Sequence, residues 1–170
     1  MKTVLLGVAF AAVAGCSPAL AWTASRAPWS GVVTYVVDGD TVRVRPPEGG
    51  KPVSIRIDGI DAPEICQSGG ALARDALARK VLGKRVVVHS KVRDDYGRLV
   101  ARIVFKGEDQ GRWMVANGLA WSYRYRNNAG PYAVQQRQAR AGGLGVFSPV
   151  LAKAPAYPGK FRRQHGSCYF

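Results

Sequence analysis

Acidic residues are scarce in this sequence: 11 Asp and Glu stand against 25 Lys and Arg in 170 residues, a formal charge of +14. Histidine occurs only as His89 and His165, at unrelated positions, which leaves no ligand set for a zinc site. There is no internal repeat and no low-complexity stretch, which excludes a solenoid, and 47% hydrophobic with 9% aromatic content argues against disorder. Also missing is an apolar run long enough to cross a bilayer. The run from Val4 to Ala14 is too short for a span, although it has the size of a secretory signal's hydrophobic region.

That run is expected to be removed rather than to anchor the chain as a helix. Two processing patterns compete. Ala19-Leu20-Ala21 places a cut before Trp22, and this reading is preferred; Val13-Ala14-Gly15-Cys16 resembles a lipobox, in which Cys16 would carry lipid. Either one takes the chain out of the cytoplasm. The expected organisation is a signal peptide over 1–21, a leader over 22–30, one globular domain over 31–148 and a basic tail over 149–170. The tail carries Pro149, Pro155, Pro158 and then Lys160-Phe161-Arg162-Arg163. Lys2 is the signal segment's only charge, so the processed chain keeps a formal +13, a surface that attracts polyanions: nucleic acid first, anionic membrane or cell wall second. Cutting after Ala21 also leaves Cys66 and Cys168 as an even pair in an oxidising compartment. They either tie the tail to the domain or stay two unrelated thiols, because sequence does not supply the geometry a disulfide needs.

Along the domain, Gly31 to Val37 is β-branched and aromatic, and Asp38-Gly39 followed by alternating residues signals a hairpin. Asp40, Val42 and Val44 share one face of its second strand, and Thr41, Arg43 and Arg45 the other. A Pro and Gly loop leads to a third strand over Val53 to Ile60, with a bulge expected at Gly59. Leu72, Ala73, Ala76, Leu77 and Val81 make a helical stripe over Ala71 to Leu82, closed by Gly83. Strands follow over Arg85 to Val92 and Leu99 to Phe105 around a turn at Asp94 to Gly97; then come helices near Gln110 to Asn117 and Tyr132 to Ala141. Five short strands with about three helices and no regular βαβ alternation predict an α+β, mainly β fold: a small antiparallel barrel.

The few acids are not spread evenly, since six of the eleven fall within residues 38 to 64. Parity turns Asp40 toward the apolar side of the sheet, where a bare carboxylate is costly without a cation or donors. A bulge at Gly59 would put Asp61 on the face of Arg56, and Pro63 would leave Glu64 at the barrel rim. Asp40, Asp61, Glu64 and Arg56 are therefore expected to converge. Carboxylates with backbone carbonyls are hard oxygen ligands of the kind Ca2+ accepts.

Four stretches carry a resemblance. Val37-Asp38-Gly39-Asp40-Thr41-Val42, Arg56-Ile57-Asp58-Gly59-Ile60-Asp61-Ala62-Pro63-Glu64, Asp94-Asp95-Tyr96-Gly97-Arg98 and Tyr123-Arg124-Tyr125 occur in this order and resemble the staphylococcal nuclease (thermonuclease) family over about residues 31 to 148. The resemblance implies a five-stranded OB-fold barrel and Ca2+-dependent hydrolysis of DNA and RNA to 3′-phosphate ends, with single-stranded or frayed regions preferred and a monomer as the working unit. It implies that Asp40, Asp61 and the carbonyl of Ala62 hold Ca2+, that Glu64 orients or deprotonates the attacking water, and that Arg56 and Arg98 grip the scissile phosphate. A planar guanidinium meets two phosphate oxygens at once, which suits Arg to that task. Tyr96, Tyr123 and Tyr125 would stack on bases or touch phosphate, with barrel packing as the alternative for Tyr125. Arg43, Arg45, Lys84, Lys91, Arg124, Arg126, Arg137 and Arg140 read as general electrostatic surface. Two other classes compete: a non-catalytic nucleic-acid-binding module on the same barrel, and a basic cell-surface protein that binds anionic polymers. All the matched acids and arginines are present, which argues against the module.

Overall fold

The period-two pattern of the first half of the chain becomes a closed barrel in the computed structural model, which describes residues 27–123, 128–150, 156–166 and 168. The expected signal peptide, Cys16, Arg124, Tyr125 and Arg126 lie outside the described residues. In chain order the elements are β1 (Trp29–Val36), β2 (Thr41–Arg45), β3 (Val53–Ile57), β4 (Ile60–Asp61), α1 (Gly70–Val81), β5 (Arg85–Arg93) and β6 (Leu99–Phe105). They continue with β7 (Glu108–Asp109), α2 (Gln110–Ala116), β8 (Trp121–Ser122), α3 (Ala133–Ala141) and α4 (Pro158–His165).

β1 pairs antiparallel with β2 and β5, β2 with β3, and β5 with β6. Parallel pairing of β3 with β6, Ile55 opposite Leu99 and Ile57 opposite Ala101, closes the sheet. Closure removes the open edge that a five-stranded sheet would otherwise expose. The result is an α+β, mainly β, five-stranded OB-fold barrel. Val33, Val42, Val44, Ile55, Ile57 and Ile103 fill its interior, and α1 covers it through Ala73, Ala76, Leu77 and Val81. No helix among the described residues is long and apolar enough to cross a membrane.

Two expectations need correction. Leu72 is exposed, not part of the α1 stripe: it lies about 100° round the helix from Ala73, on the side turned away from the barrel. The third strand stops at Ile57. Asp58-Gly59 then turns with Gly59 at φ +77°, and Ile60–Asp61 leaves the barrel sheet to pair with β8. That turn does what the expected bulge would have done, since Ile55, Ile57 and Ile60 are all buried. Within the expected basic tail, Pro158 opens a fourth helix in the first-turn position where its missing N–H costs nothing.

The tail is fixed to the domain. Cys66 and Cys168 are disulfide-bonded with Cα atoms 5.8 Å apart, and Trp121 meets Tyr157 and Phe147 edge-on, with ring centroids 6.0 and 5.7 Å away.

Candidate active site

Two hairpin residues carry acid into the barrel wall. Asp40 follows a tight turn in which its N–H donates to Asp38 Oδ1 at 2.9 Å, and the alternation of β2 then turns its side chain inward, where it is 2% exposed. β3 runs alongside, with Arg56 in register with Thr41. The guanidinium of Arg56 donates from Nη1 to Asp40 Oδ1 at 2.7 Å and from Nη2 to Asp61 Oδ1 at 2.8 Å. Asp61, brought back by the Gly59 turn, is fully buried. Thr41 Oγ1 also donates to Asp40 Oδ1, and the Ala62 N–H donates to Asp40 Oδ2 at 2.8 Å. Burial alone would lower the Arg56 guanidinium, but the charges of Asp40 and Asp61 outweigh it and hold it above its ordinary value.

Asp38 has the opposite fate. Burial, with the charge of Asp40 second, pushes its carboxyl from 3.8 up to about 7. A carboxyl raised by its surroundings stabilises the fold fully below its ordinary value and loses that contribution as pH climbs through its raised one. Asp38→Asn keeps an oxygen acceptor for the Asp40 N–H and removes the charge. Its stability relative to the unaltered chain is therefore expected to rise between about pH 4 and about pH 7 and then level off. Urea midpoints across that range measure it.

Glu64 leaves the barrel at Pro63 and is held by its backbone: its carbonyl accepts from the Gln67 N–H at 2.8 Å, and its N–H donates to Gln67 Oε1 at 3.3 Å. The start of α1 presses on this segment so closely that a Cβ on Gly70 would fall 1.9 Å from the Glu64 carbonyl oxygen. Only glycine permits that approach. Glu64 Oε1 accepts from Arg162 Nη1 of α4 at 2.7 Å, and the same guanidinium reaches both oxygens of Asp61 at 3.1 Å. The acids are thus linked pairwise through arginines, Asp40 to Asp61 by Arg56 and Asp61 to Glu64 by Arg162.

Arg98 sits on the β5–β6 turn, where its Nε donates to Asp94 Oδ2 at 2.8 Å. Slight burial alone would raise the Asp94 carboxyl, but the hydrogen bonds from Arg98 outweigh it and hold it below its ordinary range. The Arg98 guanidinium lies 5.3 Å from the ring of Tyr96, which is 85% exposed. The Tyr123 N–H donates to the carbonyl of Gly59, and its side chain is also exposed. Arg56, Glu64, Tyr96, Arg98, Tyr123 and Arg162 line one cavity of about 610 Å³, with Asp40, Asp61 and Ala62 buried behind it. Of the residues singled out in the sequence, Tyr125 lies outside the described residues, and Cys66 and Cys168 form the tether described above.

Arg162 was missed. The run Lys160 to Arg163 announces charge but not which arginine turns toward acids 98 and 101 residues earlier; the only pointer was Cys168 just beyond it.

The donors present suit a hard cation. Among the described residues no three His, Cys, Asp or Glu side chains gather in one group, so an ion here would draw on Asp40, Asp61, a backbone carbonyl and water. The Arg162 guanidinium is a stand-in of the right sign, because Asp61 and Glu64 already converge on a positive group.

Residues 54–148 match the staphylococcal nuclease homologue family. The chain belongs to that family. Arg56, Asp61, Glu64 and Arg98 fall inside the matched stretch of this staphylococcal nuclease homologue, with Asp40 just ahead of it and α4 beyond it. Among relatives, Protein ParB of Escherichia coli is 34% identical over 92% of this chain and 88% of its own length. Micrococcal nuclease of Shigella flexneri is 32% identical over 91% and 93%. An uncharacterized endonuclease of Escherichia coli O157:H7 is 36% identical over 75% and 82%. Barrel, cavity and family agree on a nuclease domain.

Proposed function

We propose that this chain is an exported, Ca2+-dependent endonuclease that hydrolyses phosphodiester bonds of DNA and RNA with little sequence specificity and leaves 3′-phosphate ends. The observation that carries the reading is the Asp40–Arg56–Asp61 ion-pair chain lying directly behind a cavity rimmed by Glu64, Arg98, Tyr96 and Tyr123. The nuclease names of the relatives from Shigella and Escherichia support it.

In this reading Asp40, Asp61 and the Ala62 carbonyl hold Ca2+, which when bound supplies positive charge to the phosphate oxygens. Arg56 keeps both acids in place and turns its partly exposed edge to the cavity, where it meets a phosphate oxygen. Arg98, steadied by Asp94, takes a second oxygen across the opening. These positive groups stabilise the charge that gathers around phosphorus in the transition state. Glu64, buttressed by Gln67 and the start of α1, holds the attacking water and accepts its proton. Tyr96 and Tyr123 offer ring faces to any base, which suits a site that does not choose sequence.

Export rests on the apolar run before Trp22 and on the Cys66–Cys168 bond, which belongs in an oxidising compartment. The chain is then secreted or periplasmic, or held at a membrane by a lipidated Cys16; mass spectrometry of the processed N-terminus decides between these. The activity is tested by incubating the protein, as its host processes it, with single-stranded DNA and RNA in Ca2+ or in EDTA, followed by gel and end-group analysis. Cleavage in Ca2+ only, with ends that resist ligation until the 3′-phosphate is removed, is the expected result. Binding without cleavage in Ca2+ would point instead to a non-catalytic module.

A further inference from the structure

The acids assigned to the ion and to the water are already occupied by part of the chain itself. Arg162 Nη2 donates to Asp61 Oδ2 and Nη1 to Asp61 Oδ1, both at 3.1 Å, while Arg56 Nη2 donates to Asp61 Oδ1 as well. Both oxygens of a fully buried carboxylate are thus covered by guanidinium. Nη1 of Arg162 also holds Glu64 Oε1 at 2.7 Å.

This contact is built in. Pro158 at the start of α4 is buried, Tyr157 packs edge-on against Trp121, the Gln67 side-chain amide donates to the Ala156 carbonyl, and the Cys66–Cys168 bond fastens the far end. α4 is therefore held on both sides of Arg162. The helix also lies beyond residues 54–148, the part of the chain the family match covers.

Resting on the reading of Asp61 and Glu64 given above, we infer that Arg162 on the disulfide-fastened α4 is an intramolecular competitor of the divalent cation, closing the site until the ion displaces it. The cation needs an oxygen of Asp61, and Glu64 needs its carboxylate free for water; neither is compatible with the three bonds Arg162 makes. A tether of this kind keeps the competing group at an effective concentration on the order of millimolar, so the guanidinium returns whenever the ion leaves. Apparent cation affinity is then reduced by the fraction of molecules in the closed state.

The test is calorimetric titration of Ca2+ into the unaltered protein, Arg162→Gln, Arg162→Lys and the double variant Cys66→Ser with Cys168→Ser, each checked for its fold by circular dichroism. Amide exchange of residues 159–165 is followed alongside. Arg162→Gln keeps the disulfide and is expected to bind Ca2+ about tenfold tighter, within the ~5- to 150-fold range usual for coupled sites. Arg162→Lys should fall between it and the unaltered chain, and the double Ser variant should also bind more tightly. In the unaltered protein, Ca2+ should speed amide exchange in α4. Equal affinity in all forms with unchanged exchange in α4 would overturn the competitor while leaving the Ca2+ site standing. No Ca2+ binding by any form would overturn both.

Discussion

Replacing Glu64 with Gln is expected to lower turnover by about 10² to 10⁴ while leaving nucleic-acid binding in place. The substitution is nearly isosteric and keeps an Oε1 acceptor for Arg162, and the backbone bonds to Gln67 and the close approach of Gly70 do not depend on the side chain. Folding should therefore be untouched. What is lost is basicity: an amide oxygen accepts a hydrogen bond from water but does not take up its proton at neutral pH. Single-turnover cleavage in Ca2+ gives the rate, and fluorescence anisotropy with labelled single strands gives the affinity. A fall in rate with affinity preserved is the signature of an interaction made in the transition state alone. A fall in affinity of the same size would instead make Glu64 a binding residue, and an unchanged rate would remove it from the chemistry.

How much of this was legible in the sequence follows from how far apart the interacting residues lie. The Asp38-Gly39 hairpin, the inward turn of Asp40 with Val42 and Val44, and the break that buries Ile60 are all local consequences of period two and of glycine, and the structure has each of them. The barrel followed, because short strands without βαβ alternation have few other ways to hide an edge. Position along a helix was less secure: Leu72 satisfies the apolar spacing but sits outside the narrow face that α1 buries. α4 escaped because its eight residues carry charge rather than an apolar stripe, and such a segment forms a helix only where tertiary contacts hold it. The convergence of Arg56 with Asp40 and Asp61 was legible, but not the two bonds it makes to them, since the register that sets it beside Asp40 is a property of the folded sheet. Arg162 lay further out of reach, because nothing local distinguishes it from Arg163.

The largest structural effect is expected from Arg56. Its side chain is 18% exposed, while those of Asp40 and Asp61 are 3% and 0%. Arg56→Ala would leave Asp40 in the barrel wall without its cation and Asp61 with Arg162 alone. Stripping one partner from a buried ion pair costs about 3–5 kcal/mol at neutral pH, and that cost falls on Asp40, which has lost both its counterion and its water. Arg56→Lys should recover only part of it at pH 7, since a single ammonium does not present the planar fork that joins Asp40 to Asp61. Added Ca2+ should raise the midpoint of Arg56→Ala more than that of the unaltered chain, because the ion would supply the missing charge and stabilise by mass action. Urea midpoints of the three proteins at pH 7, with and without Ca2+, contain both comparisons. A loss below about 1 kcal/mol at pH 7, the scale of an exposed pair, would mean that the buried acids do not depend on Arg56 for their charge.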